Sequence, residues 1–146
     1  MWNYINTETD VQQFMNNMIY FHDSCIKEIK YISGAYVDED LSMYPLNDKR
    51  ILKVIIQRQF ENNSMIELEF TGIKWLKLFP IQEGYTCEIF ESTLLLNNSG
   101  VYWSDCGGMV EGDFEDYGGT SICASKLRWR AIDSSMGEKE FYVPVK

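Results

Sequence analysis

Leu52-Lys53-Val54-Ile55-Ile56-Gln57-Arg58-Gln59-Phe60, then Glu61-Asn62-Asn63-Ser64, then Met65-Ile66-Glu67-Leu68-Glu69-Phe70 is the stretch that decides the fold class. Leu52, Val54, Ile56 and Phe60 share one parity, and Ile66, Leu68 and Phe70 answer them beyond a polar turn. Side chains alternate between the two faces of a strand, so this pattern predicts an antiparallel hairpin with one face on a core. Glu67 and Glu69 point the other way.

Upstream, Val11, Phe14, Met15, Met18 and Ile19 recur at helical spacing, with Gln12, Gln13, Asn16 and Asn17 opposite. This predicts an amphipathic helix over residues 9 to 20, laid on a sheet. Thr7 or Thr9 can cap it, Thr9 and Gln12 having capping-box spacing, and Glu8 and Asp10 suit the positive end of its dipole. Residues 25 to 37 read as a strand. Ile26, Ile29, Tyr31 and Ile32 do not keep one parity, which predicts a bulge or a twist. A turn-prone acidic stretch follows from Asp38-Glu39-Asp40 to Asn47-Asp48.

Downstream, Gly72 leads into Ile73 to Phe79, stopped by Pro80. Phe90, Leu94 and Leu96 mark a strand that turns at Asn97-Asn98-Ser99-Gly100 into Val101-Tyr102-Trp103. Residues 121 to 132 form another, with Leu127, Trp129 and Ala131 on one face. Phe141-Tyr142-Val143 predicts a short last strand, at an edge because Pro144 cannot donate to a ladder. No linker or repeat interrupts the chain. The expected fold is α+β over residues 1–146 as a single domain, an N-terminal helix packed on a curved antiparallel β-sheet or half-open barrel of about seven or eight strands.

The 146 residues are 45% hydrophobic and 14% aromatic, enough for a core without staples. The start of the chain lacks the basic and apolar regions of a secretory signal, and no apolar run reaches a membrane span. These readings predict a cytoplasmic protein that does not use a membrane, with Cys25, Cys87, Cys106 and Cys123 as free thiols. The formal net charge is −9. Asp105, Glu111, Asp113, Glu115 and Asp116 lie together with no basic residue among them. Such a field repels phosphate backbones, which argues against nucleic acid and for a partner protein with a basic surface.

Four groups of residues are candidates for function. His22-Asp23-Ser24 holds the one histidine and would be the centre of a hydrolase, but adjacent side chains diverge, and a helix-to-strand corner is the simpler reading. His22 and Cys25 alone have close-pair zinc spacing, and the acidic stretch lacks the EF-hand pattern, so no metal or other cofactor is expected. Lys126, Arg128 and Arg130 share a parity and could hold an anionic ligand, or could pair across strands with Glu67 and Glu69. The stretch 105–120 interleaves Phe114 and Tyr117 with its five acids. Aromatic anchors and steering carboxylates suit recognition of a basic protein, so the expected binding residues are Asp105, Glu111, Asp113, Phe114, Glu115, Asp116 and Tyr117. The loop is expected to be irregular, exposed and more mobile than the strands on either side, and a merely mobile loop is the alternative to a binding role.

Three stretches together carry a resemblance: Phe21-His22-Asp23-Ser24-Cys25-Ile26, Leu68-Glu69-Phe70-Thr71-Gly72-Ile73 and Ala124-Ser125-Lys126-Leu127-Arg128-Trp129-Arg130. In this order they resemble small bacterial proteins of which some look like immunity proteins encoded beside polymorphic toxins. The resemblance implies a non-enzymatic inhibitor of a cognate toxin and carries no catalytic residues. The expected function is therefore a protein-binding module. Its alternatives are a small-ligand or anion-binding β-rich domain and a hydrolase centred on His22.

Overall fold

The hairpin forms in the register its alternation dictates: Leu52 lies opposite Phe70, Val54 opposite Leu68 and Ile56 opposite Ile66. All six of these side chains are buried. The structure, a computed structural model, describes residues 1–132 and 136–144. Its elements are β1 (Asn3–Ile5), α1 (Glu8–Asn17), β2 (Ser24–Ile32), β3 (Tyr36–Val37), β4 (Met43–Tyr44), β5 (Ile51–Arg58), β6 (Met65–Lys77), β7 (Thr93–Asn97), β8 (Gly100–Ser104) and β9 (Ser121–Ala131). Short 3-10 turns occupy Ile19–Phe21 and Glu111–Phe114.

Seven strands make one antiparallel sheet in the order β2-β5-β6-β9-β8-β7. β1 adds to β9 at Asn3–Trp129 and Ile5–Leu127, below the stretch that β8 occupies. The bulge expected in the first strand sits between Ile26 and Glu28. A second irregularity, between Ile73 and Trp75, bends the long strand β6 just past Gly72. The sheet curves without closing. Ile89 pairs with Ser24 beside edge strand β2, and the chain enters the opposite edge strand, β7, four residues later.

The helix starts at Thr7, whose hydroxyl accepts from Asp10 N–H at 3.1 Å while the Asp10 carboxylate accepts from Thr7 N–H at 2.8 Å. The reciprocal cap therefore joins Thr7 to Asp10, not Thr9 to Gln12, and the helix runs over Glu8–Asn17 instead of residues 9 to 20. Val11, Phe14, Met15 and Met18 pack onto the concave face of the sheet with Leu52, Leu68, Phe70, Leu127 and Trp103. Phe14 stacks on Trp129 at 4.8 Å and meets Phe21 edge-on at 5.6 Å.

The expected strand at Phe141-Tyr142-Val143 does not form. Tyr142 N–H is taken by the Glu28 carboxylate at 2.8 Å instead of a ladder carbonyl, and its ring packs against Ile55, Met65 and Met136 on the convex face. Phe141 and Val143 stay exposed.

Candidate protein-contact site

In an antiparallel sheet successive connections leave at alternate ends. Here the connections at one end are tight, over residues 59–64 and 98–99, whereas those at the other end are long, over residues 33–50, 78–92 and 105–120. Loops carried on a rigid scaffold are where binding residues concentrate. Between them the three long connections hold Asp38, Glu39, Asp40, Asp48, Glu83, Glu88, Glu91, Asp105, Glu111, Asp113, Glu115 and Asp116. Their basic residues are Lys49 and Arg50, where the first re-enters the sheet.

The connection 105–120 is a closed, internally tied loop. Asp105 N–H donates to the Thr120 carbonyl at 3.1 Å, which draws its ends together. Lys77 Nζ donates to the carbonyls of Phe114 at 2.7 Å and Glu115 at 2.9 Å. The Asp113 carboxylate accepts from Val110 N–H at 2.9 Å and closes the 3-10 turn. Tyr117 donates its hydroxyl to the Asp105 carboxylate, and burial, then that hydrogen bond, push the phenol well above its ordinary pKa.

Phe114 does not have the place expected of it. It is 2% exposed, its ring 5.4 Å from Tyr102 and 6.3 Å from Trp75, and it fastens the loop to the sheet rather than facing a partner. The aromatic ring is more favourable under the loop than in water, so it turns inward and leaves the carboxylates outside. Glu111, Asp113, Glu115 and Asp116 are exposed, while Asp105 and Tyr117 are half-buried at the neck.

Exposed apolar surface lies on the neighbouring connection instead. Leu78, Phe79, Ile81 and Tyr85, all exposed, line a groove of about 400 Å³ on the neighbouring connection. Asp105 and Thr120, the two ends of the acidic loop, line the same groove. Phe79 N–H donates to Thr120 Oγ1 at 3.1 Å and ties the two connections together. An apolar floor with an acidic rim results. The sequence held a signal for it: Leu78-Phe79-Pro80-Ile81 stays apolar beyond the last strand pairing, at Lys77.

The basic row is already partnered. Arg130 lies opposite Glu67 and Arg128 opposite Glu69 across β6 and β9. Arg130 Nε reaches the Glu67 carboxylate at 2.6 Å, and Arg128 bonds Glu69 through Nε at 2.8 Å and Nη2 at 2.7 Å. Trp2 covers both guanidinium groups, with centroid distances of 4.1 and 4.5 Å. Lys126 is exposed opposite Thr71 and does not share an anion site with the two arginines.

His22 is part of a corner. Its Nδ1 donates to the Phe90 carbonyl at 2.8 Å, since a carbonyl can only accept, and its Nε2 lies 3.3 Å from the Asp23 carboxylate. Ser24 directs its hydroxyl to the His22 carbonyl rather than to the ring. Ile19, Tyr20 and Phe21 are all left-handed, with φ of 52°, 51° and 58°. Arg58 holds this strained bend, donating to the carbonyls of Met18, Asn62 and Asn63 at 3.0–3.1 Å. Ser92 adds N–H and hydroxyl bonds to the Tyr20 carbonyl.

Among the described residues no group of three His, Cys, Asp or Glu side chains is placed to share a metal ion, and no helix is long and apolar enough to cross a membrane. Comparison of the chain with protein-family models, with curated proteins and with solved structures finds no match.

Proposed function

We propose that this chain is a protein-binding module that holds a basic partner protein at the end of the sheet carrying the three long connections. The observation behind this reading is that the apolar groove of Leu78, Phe79, Ile81 and Tyr85 reaches Asp105 and Thr120, the two ends of the loop on which Glu111, Asp113, Glu115 and Asp116 are exposed. Desolvated apolar contacts at the centre of an interface supply most of its binding energy, while charges at the rim accelerate encounter. The ties from Lys77 and Phe114 hold the carboxylates in one arrangement before binding, which lowers the ordering cost of association. The resemblance to immunity proteins extends the reading to a cognate toxin, neutralised by occupation of its basic surface.

The test is binding kinetics against the product of a neighbouring toxin gene, or against a partner recovered by pull-down. Reversing Asp113, Glu115 and Asp116 to Lys should slow association at least tenfold at low salt and flatten its salt dependence. Ile81→Ser with Tyr85→Ser should act mainly on dissociation. Unchanged rates in both variants would exclude this end of the sheet as the interface. The immunity role is checked separately, by whether co-expression restores growth to cells making the toxin.

A further inference from the structure

Between β2 and β5 the chain leaves the sheet and folds back as the ribbon β3–β4, with Tyr36 opposite Tyr44 and Val37 opposite Met43. The tyrosine rings stack at 4.8 Å. At the tip, Asp38 Oδ1 accepts from Asp40 N–H at 2.9 Å and Ser42 N–H at 3.0 Å, and Leu41 N–H donates to the Asp38 carbonyl at 3.0 Å. At the root, Lys49 and Arg50 N–H both reach the Ser33 carbonyl, at 3.0 and 3.1 Å, and Tyr31 donates its hydroxyl to Asn47 at 3.0 Å. Gly34, at φ +100°, lets the chain turn where a Cβ would strike the Asp48 side chain and lie 2.9 Å from Lys49 N. The ribbon is thus fixed in shape and fixed to the sheet.

A two-stranded ribbon without other support is marginal in water, and apolar side chains left in solvent do not stabilise it. Yet Tyr36, Val37, Leu41, Met43, Tyr44 and Leu46 are 45–83% exposed. A cluster of this kind on an ordered protrusion marks a contact surface. Its charge names the partner. Residues 31–48 contain Asp38, Glu39, Asp40 and Asp48 and no basic residue, with three of the acids at the tip.

We propose that the β3–β4 ribbon is a docking finger that enters an apolar cleft rimmed by Lys or Arg on the basic partner protein. The proposal rests on the protein-binding reading and adds a second contact to it. The finger is rooted beside the strand that anchors the acidic loop: Ile73 N–H donates to the Arg50 carbonyl at the finger's root, and β6 carries Lys77, which ties the acidic loop, four residues on. A second copy is a poor occupant, because the chain carries −9 and Arg128 and Arg130 are already paired with Glu69 and Glu67. An anionic lipid surface would be repelled by the tip.

The test is photo-crosslinking of the full chain in the cells that make it, with p-benzoylphenylalanine at Met43, at Ile81 in the groove, and at Asn98 on the opposite end. Met43 and Ile81 should capture the same protein, above the yield from Asn98. With that protein purified, Leu41→Ser plus Met43→Ser should dissociate at least tenfold faster. Asp38→Asn with Glu39→Asn and Asp40→Asn should associate severalfold more slowly at low salt. All five positions but Asp38 are exposed, and unchanged circular dichroism separates a lost contact from a lost fold. Capture from Ile81 but not Met43 removes the finger and leaves the groove standing. A second copy captured at Met43, or serine variants with unchanged dissociation, overturns the finger. Capture from neither position overturns both readings.

Discussion

Glu67 and Glu69 are 3% and 6% exposed, and a carboxylate so placed is tolerated because a guanidinium meets it. The two differ in a way that can be measured. Lys53 Nζ stands 3.9 Å from Glu69 as a second cation, whereas Arg130 is the one ion-pair partner of Glu67 among the described residues. Arg130→Met should therefore cost roughly 3 kcal/mol in urea unfolding, because it strands a buried charge, and Arg128→Met should cost less. Adding Glu67→Leu to Arg130→Met should restore most of the loss, since an apolar pair of similar volume does not need the desolvation to be offset. The thiols give a second residue-level expectation. Cys87 and Cys106 are exposed, while burial raises the pKa of Cys25 and Cys123 and lowers their thiolate fraction at neutral pH. Native protein should alkylate at Cys87 and Cys106 first, read by mass spectrometry of quenched samples, and denatured, non-reduced protein should show all four thiols. Much at this scale was legible from parity alone. The opposition of Arg128 and Arg130 to Glu69 and Glu67 follows from alternation once β6 and β9 are neighbours. The burial of Phe114 was not legible, because its neighbours in the chain are acids and the rings that cover it, Trp75 and Tyr102, come from other strands.

Elements with many periodic residues are readable, and short ones are not. The hairpin β5–β6, the helix and β9 each carry enough apolar repeats to declare their period. β1 is three residues long and β3 and β4 two each, too short for a pattern, and each exists because of its partner. The start of α1 illustrates how a terminus is set by hydrogen bonds rather than by hydrophobicity. Thr7→Ala should cost about 1 kcal/mol of stability. Asp10 adds a pH dependence: hydrogen bonds from the N–H groups of Asn6 and Thr7 and from the Thr7 side chain hold its carboxyl below the usual aspartate range. A depressed pKa means a contribution fully present above the unfolded value and lost as pH falls through the folded one. The stability difference between the natural chain and Asp10→Asn should stay level from neutral pH down to about pH 5 and shrink below about pH 4. The 105–120 loop, whose composition reads as irregular, is an element of its own once Phe114 is seen as its anchor. Phe114→Ala should lose roughly 3–5 kcal/mol, a stability effect with no need of a partner, and the loss should appear in the isolated protein by thermal unfolding.

At the scale of the whole molecule, the acids gather on the long connections rather than on the tight turns. Acids outnumber bases by 22 to 13, and the three long connections hold a large share of the acids with Lys49 and Arg50 as their only bases. The bond from Phe79 N–H to Thr120 holds two of these connections, 78–92 and 105–120, together, so the fold brings like charges close and works against their repulsion. Salt screens such exposed charges over a Debye length of about 10 Å at 0.1 M, and affects the buried Glu67–Arg130 and Glu69–Arg128 pairs far less. Folding should therefore become more favourable as salt rises from about 20 mM to about 0.5 M, a range over which that length shortens severalfold. The proposed complex with a basic protein should respond the opposite way, because the same screening would remove the attraction of the carboxylates for such a surface. Two opposed salt slopes on one molecule separate a solvated acidic face from a functional one. A variant with Asp113→Asn, Glu115→Asn and Asp116→Asn should be more stable than the natural chain at low salt, lose most of its salt-dependent gain in Tm, and bind the partner more slowly. If neutralising these three carboxylates leaves the Tm at low salt unchanged, their crowding is not a burden on the fold. If Tm rises without slower binding, the acids serve solubility, and the groove and finger must hold the partner without electrostatic help from the loop.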